Sequence, residues 1–248
     1  MSEKIITVEG TISFAKFIDR PNRFLVNLKL EENGKIESAF LHDPGRMKEL
    51  LTPEVRLLIR KPLKIGTRKT NWDVLAVFHK NFWVTINSSL PNLVAKTALK
   101  NGWIEELAEY SNIKPEIKYG KSRLDFLLTN EEEEECYVEV KGVTLVENKV
   151  ALFPDAPTSR GTRHLQELIK IKSSGSRAVA LFISMRDDPE SFTPNWETDP
   201  TFSKQLEIAI NQGVEALVYK VQPKIENDKL KLYFTQSINV KLKEEDKS

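Results

Sequence analysis

A single cysteine, Cys136, is present in the 248 residues, which excludes an internal disulfide and any metal centre built on clustered thiolates. Nowhere does an uninterrupted apolar run approach the roughly 20 residues of a membrane-spanning helix. The opening Met1-Ser2-Glu3-Lys4 has no apolar core of signal-peptide length. These absences set the expectation of a reducing, cytoplasmic setting with no membrane partner. A surplus of either charge is also missing. Lys and Arg total 37 against 36 Asp and Glu, a net charge of +1, so a polyanion has to be held by a local patch rather than by the overall field.

What is there is the composition of a soluble globular protein, 40% hydrophobic and 29% charged, on a chain long enough for two compact domains. Residues 5–8, 24–30, 38–41, 55–59 and 74–79 are short alternating segments separated by turn residues, with one helical stretch over 47–51. That pattern predicts a small β-barrel, OB-fold or SH3-like. Inside it, Arg56, Arg60, Lys61, Lys64, Arg68 and Lys69 occur with no acidic residue between them, followed by Trp72, Phe78, Phe82 and Trp83. Cations for phosphates beside aromatics for bases are what single-strand binding requires. A solvated barrel face over an aromatic core reads the same residues equally well. Asp43-Pro44-Gly45 marks a turn that places Arg46 at the start of the 47–51 helix, where it can meet a phosphate. Arg20 and Arg23 flank a second basic turn.

Helical spacing takes over after residue 92, through Leu93, Val94, Ala98, Leu99, Ile104 and Leu107, which divides the chain into domains 1–86 and 87–248. Strands follow at 113–119 and 122–128. In the second of these Asp125 stands among Leu124, Phe126, Leu127 and Leu128, and a carboxylate in such company is costly unless it is paired or binds a cation. The acidic run 131–135 reads as a solvated hairpin tip leading to a strand at 136–142. On that strand Glu139 and Lys141 share a face, about 7 Å apart along the chain direction. The hairpin brings Asp125 towards them. Beyond it, Thr158 or Asp155 caps a helix over 162–172, with Leu165, Leu168 and Ile169 as its buried stripe and Arg160, Arg163, His164 and Glu167 off it or on its border. A doubly buried strand at 177–184, a helix at 201–212 and strands at 214–221 and 230–234 complete the sheet.

A carboxylate on one strand with Glu-x-Lys on the next suits phosphodiester hydrolysis. The carboxylates offer hard oxygens to Mg²⁺ or Mn²⁺, and the lysine positions water or stabilises charge on the phosphate. An isolated Glu-x-Lys is as often a surface ion pair.

The order Asp125…Glu139-x-Lys141 resembles the PD-(D/E)xK nuclease superfamily. More closely, Arg123-Leu124-Asp125-Phe126, Tyr137 to Leu145, Phe153 to Leu168 and Arg177-Ala178-Val179 resemble the sugar fermentation stimulation protein A (SfsA) family, over roughly Arg20 to Tyr219. The resemblance implies an α/β (α+β) protein, with an N-terminal OB-fold followed by a restriction-endonuclease-like domain whose mixed sheet is flanked by helices. It also implies DNA binding and a link to the regulation of sugar metabolism in bacteria. Pro154-Asp155 follows Glu139-x-Lys141 and so is in the wrong order to be the superfamily's own pair; the matching carboxylate is Asp125. The turn at Asp43-Pro44-Gly45-Arg46 is shorter than the Pro-Asn-Thr-Gly form of many members. Carried onto this chain, Asp125, Glu139 and Lys141 are the catalytic set. Asp125 and Glu139 hold Mg²⁺ or Mn²⁺, with Glu106 as an additional ligand. Arg20, Arg23, Arg46, Arg68, Lys69, Trp72, Arg123, Arg160, Arg163 and His164 are assigned to DNA. The expected function is a DNA-binding, metal-dependent nuclease. The alternative is a DNA-binding transcriptional regulator of sugar metabolism whose nuclease-like domain does not cut. RNA as the substrate and a homodimer are left open.

Overall fold

The computed structural model describes residues 3–63, 70–120 and 122–242, so the expectations for Lys64, Arg68 and Lys69 lie outside the described residues. Two compact units emerge. The first comprises the chain up to Leu90 together with Met185–Asp187 and Val221–Thr235; the second comprises Pro91–Ser184, Asp188–Lys220 and the chain from Gln236. The division is therefore not one cut in the chain, because two segments of the second half pack in the first unit.

In the first unit, β1 (Ile5–Thr7) is followed by β2 (Ile12–Asn22), β3 (Leu25–Leu30), β4 (Ile36–Phe40), β5 (Arg56–Arg60), β6 (Trp72–His79) and β7 (Phe82–Thr85). Alternation drives these strands: in β3, Val26, Leu28 and Leu30 point into the core while Lys29 faces water. Strands β4-β3-β2-β5-β6 form an OB-like five-stranded barrel, closed by parallel pairing of β4 with β6 through Ala39↔Trp72 and Phe40↔Asp73. Strand β7 extends it as a hairpin on β6. Two expectations change here. Residues 47–51 form a turn rather than a helix: Met47 has φ 46°, and the Leu50 and Leu51 N–H groups both donate to its carbonyl. Met47, Leu50 and Leu51 are buried in the barrel core, so core packing rather than helical hydrogen bonding accounts for their apolar spacing. Strand β1 lies outside the barrel and pairs antiparallel with a late strand of the same unit, Ile5 opposite Tyr233.

The second unit begins with α1 (Leu90–Lys100) and a single 3₁₀ turn, Glu105–Leu107. Then come β8 (Asn112–Tyr119), β9 (Ser122–Thr129), β10 (Glu135–Val143), β11 (Leu145–Glu147), β12 (Val150–Phe153), α2 (Ser159–Ser173), β13 (Arg177–Ser184), β14 (Ser191–Pro194), α3 (Pro200–Asn211) and β15 (Glu215–Glu226). The chain then returns to the first unit for most of β16 (Lys229–Ser237), the partner of β1, and continues in the second with β17 (Asn239–Val240). The central sheet runs β15-β13-β10-β9-β8. It is mixed: β8–β9 and β9–β10 are antiparallel hairpins, whereas β10–β13 and β13–β15 are parallel crossovers. Seven of the eight residues of β13 are buried, as its unbroken apolar run requires. Helices α2 and α3 cover a core that includes Leu165, Leu168, Phe182, Phe202 and Leu206. A second, small sheet runs β11-β12-β14-β17.

The two helices are fastened at their N-termini by one carboxylate. Asp199 caps α3, accepting the Phe202 N–H at 2.9 Å through Oδ1, and accepts the Thr158 N–H at 2.7 Å through Oδ2. Thr158 in turn caps α2, its hydroxyl accepting the Gly161 N–H at 3.0 Å. This chain of caps joins the N-terminus of α2 to that of α3, while Leu165, Leu168 and Ile171 pack α2 into the core.

Candidate metal centre

Asp125 lies where the β9–β10 ladder ends. Pairing runs from Glu135↔Thr129 to Val138↔Phe126 and then stops. The Val140 N–H donates instead to Asp125 Oδ2 at 2.8 Å. The other carboxylate oxygen accepts from Asn92 Nδ2 at 2.7 Å. Asn92 reaches it because Gly142 lets the start of α1 press onto β10. A Cβ on Gly142 would come within 2.5 Å of Pro91 Cγ, a separation no side chain tolerates.

One strand over, Glu139 is charged and only 4% exposed. Its Oε1 accepts from Lys141 Nζ at 2.5 Å and from His164 Nδ1. Its Oε2 is buried and has no hydrogen-bond partner among the described residues. The imidazole of His164 also accepts, at Nε2, from Arg160 Nε at 3.4 Å, so these two bonds together place the ring proton on Nδ1. Lys141 Nζ lies 3.5 Å from His164 Nδ1. Burial acts to raise the Glu139 carboxyl, but the His164 hydrogen bond and the Lys141 ammonium outweigh it and hold the group below its usual range. Asp125 goes the other way. Burial, then the neighbouring Glu139 charge, push it up against the opposing pull of Val140 N–H, Asn92 and Lys141.

The structure thus brings together Asp125, Glu139, Lys141 and His164, and adds Asn92, which sequence reasoning missed. His164 and Glu167 are corrections to the reading of α2. They are 2% and 6% exposed, and both lie on the buried face of the helix rather than on a polar face or its border. His164 is spent on Glu139, and Glu167 has a 3.5 Å ion pair with Lys170. Glu106 is not brought to the centre. It sits on the 3₁₀ turn and accepts from the Tyr219 hydroxyl at 2.6 Å on β15, two strands away from Glu139 in the sheet. Among the described residues, no three His, Cys, Asp or Glu side chains form a metal-holding group. The oxygens that fit a cation are those of Asp125 and the unpartnered Oε2 of Glu139.

The residues assigned to nucleic acid separate into two kinds. Arg23, Arg46, Arg123, Arg160 and Arg163 are exposed. Arg20 is instead a clamp on its own loops, donating to the carbonyls of Gly45 at 2.6 Å, Arg23 at 2.7 Å, Arg46 at 3.0 Å and Asp43 at 3.1 Å. Trp72 is 7% exposed and belongs to the barrel core, where the Lys61 ammonium lies 3.8 Å from the ring centroid, so its face is not presented to a base. Arg56 is taken by a bidentate pair with Glu31, and Arg60 lies 3.9 Å from the buried Asp73. On the described part of the basic run the solvated-face and core reading therefore fits better.

Comparison with known proteins agrees with this architecture. Residues 89–227 match the sugar fermentation stimulation protein RE domain, and residues 18–86 match the SfsA N-terminal OB domain. The sugar fermentation stimulation protein homolog of Methanosphaera stadtmanae is 39% identical over 238 residues, covering 95% of this chain and 98% of its own. The homolog of Moorella thermoacetica is 45% identical over 216 residues, covering 87% of this chain and 92% of its own. The solved structure of Pyrococcus furiosus SfsA in complex with Ca²⁺ superposes with a TM-score of 0.84 at 27% identity, over 95% of this chain and 99% of that one. With both domains matched in order and near-complete coverage by its relatives, the chain belongs to the sugar fermentation stimulation protein family.

Proposed function

We propose that the second unit hydrolyses phosphodiester bonds in DNA, using Mg²⁺ or Mn²⁺ held by Asp125 and Glu139. The observation that carries this reading is the buried, unpartnered Oε2 of Glu139, near a second carboxylate that burial and the Glu139 charge push upward. Burial and the Glu139 charge penalise the ionised form of Asp125, and a cation shared by the two carboxylates would relieve that penalty and give Glu139 Oε2 a partner. Hard oxygen donors suit Mg²⁺ and Mn²⁺, and the relative crystallised in complex with Ca²⁺ supports a divalent occupant. Bound there, the cation supplies Lewis-acid polarisation of a phosphoryl oxygen and lowers the pKa of its water.

The chain's own groups do the rest. Asn92 and the Val140 N–H fix the orientation of the Asp125 carboxylate. His164 and Lys141 both engage Oε1 of Glu139, which leaves Oε2 as its open donor. The Lys141 ammonium keeps further N–H donors for a phosphate oxygen or a water, stabilising charge that builds on the phosphate. The exposed Arg123, Arg160 and Arg163 of the second unit, and Arg23 and Arg46 of the first, supply cations for backbone phosphates.

A second reading, a DNA-binding regulator of sugar metabolism whose nuclease-like site is idle, is favoured by one observation. Glu139 Oε1 is already saturated by Lys141 and His164, and no third acidic or histidine ligand converges among the described residues. The deciding experiment incubates the full chain with single-stranded, duplex and branched DNA, and with matched RNA, in Mg²⁺ or Mn²⁺. Cleavage of DNA that disappears in Asp125→Asn while binding persists supports the nuclease. DNA binding without cleavage of any substrate overturns it in favour of the regulator.

A further inference from the structure

The small sheet has two faces of different character. On one, Val146, Ala151, Phe192 and Val240 stand opposite one another across the four strands and pack into the core of the second unit. The other face of such a sheet is ordinarily polar and solvated. Here the facing row is Leu145↔Leu152↔Thr193, and it floors a cavity of about 550 Å³. Thr193 is 3% exposed, and among the described residues its hydroxyl has no hydrogen-bond partner, which is costly for a buried polar group.

The wall of the cavity is held in place. Trp196 donates its indole N–H to the Leu242 carbonyl at 2.8 Å. Asn195 donates to the Pro154 carbonyl at 3.1 Å and accepts the Thr198 N–H at 3.1 Å. Glu147 and Glu197 are exposed on the lining, and among the described residues that line the cavity there is no cation.

A cavity of this size, in which Leu145, Leu152, Pro194 and Trp196 stand beside polar and acidic groups, falls in the range of small-molecule sites. We infer that it binds a small organic cation, an amine carried on an apolar body. The body lies against Trp196, Leu145 and Leu152, and the ammonium meets Glu147 and Glu197, with the indole face adding cation–π attraction. The two carboxylates exclude anions, and an extruded nucleobase is disfavoured because it brings its own phosphates with it. The lining shares no residue with the centre at Asp125 and Glu139.

Three probes of similar shape test this on the full chain: 2-phenylethylamine, 2-phenylethanol and 3-phenylpropionate. The readout is the ¹H–¹⁵N resonance of the Trp196 indole, identified by its loss in Trp196→Phe. The amine shifts that resonance saturably, the alcohol binds about tenfold more weakly, and the propionate leaves it unmoved at the same concentrations. Combining Glu147→Gln with Glu197→Gln, both on exposed side chains, brings the amine down to the affinity of the alcohol while DNA binding is unchanged. The inference is overturned if no probe moves the resonance, if all three bind alike, or if the double variant binds the amine as tightly as the original chain.

Discussion

Gly142→Ala is the perturbation whose effect follows most directly from the geometry. The added Cβ would sit 2.5 Å from Pro91 Cγ and 3.4 Å from Pro91 Cβ. Ordinary carbon contacts begin near 3.5 Å, so α1 and β10 must part by about 1 Å or distort. Neither side yields easily, because the proline ring is tied to its backbone and Gly142 pairs with Ile183 in the middle of the sheet. Overpacking of this kind costs about 1–3 kcal/mol, which in a chain of this size lowers the melting temperature by about 2–4 °C for each kcal/mol. Asn92 follows Pro91, so the same movement lengthens its 2.7 Å bond to Asp125. Thermal unfolding followed by circular dichroism gives the stability loss, and Mn²⁺ titration gives the accompanying loss of affinity. Pairing Gly142→Ala with Pro91→Ala removes the colliding ring atom, so the double variant should recover part of the loss in a mutant cycle. A Gly142→Ala protein that melts with the original chain would mean that Pro91 does not press on β10, and so would a double variant whose losses simply add.

Other outcomes follow from the same contacts. Asp125→Asn removes a carboxylate whose folded pKa is raised; the stability that such a group contributes is present below its unfolded value and is lost as pH rises through the folded one. The variant should therefore melt higher than the original chain at neutral pH without metal, lose that advantage towards pH 4, and gain nothing from Mn²⁺ in a thermal-shift series. Glu139 is depressed, so its contribution is present above its unfolded value and disappears as pH falls through the folded one. His164→Ala opens a cavity and strips a partner from a buried carboxylate, and should cost about 2–4 kcal/mol by urea denaturation. Asp199→Ala uncaps α3 and frees the Thr158 N–H, at about 1–3 kcal/mol in the same assay. DNA affinity should fall linearly on a log–log plot against salt, and each of Arg123→Ala and Arg163→Ala should flatten the slope by about 1.

Much of the candidate centre is readable from strand periodicity, because Asp125, Glu139 and Lys141 lie on neighbouring strands of one hairpin whose acidic tip announces itself. Asn92 is not readable: its role depends on α1 resting on Gly142, a tertiary approach that leaves no local pattern. The buried positions of His164 and Glu167 run against the rule that polar residues mark the wet face of a helix. That rule fails where the sheet beneath supplies Glu139 as a partner, or where Lys170 reaches over from the next turn. The turn at Met47 shows the converse, since apolar spacing that resembles a helix there comes from residues plugging a barrel. Strand β2 escaped notice because Lys16, Asp19 and Arg20 interrupt its apolar alternation, and the barrel tolerates them on its outer side or, for Arg20, turns the charge into a loop clamp. For Trp72 and Arg60, residue type alone does not say whether a side chain faces in or out, and both are buried.

The central claim is that Asp125 and Glu139 together hold a divalent cation, and crystals soaked in Mn²⁺ address it most directly. An anomalous peak is expected at ligating distance from Glu139 Oε2 and the Asp125 carboxylate, absent from Asp125→Asn crystals treated in the same way. No peak there in the original chain, or a peak of equal height in the variant, would contradict it.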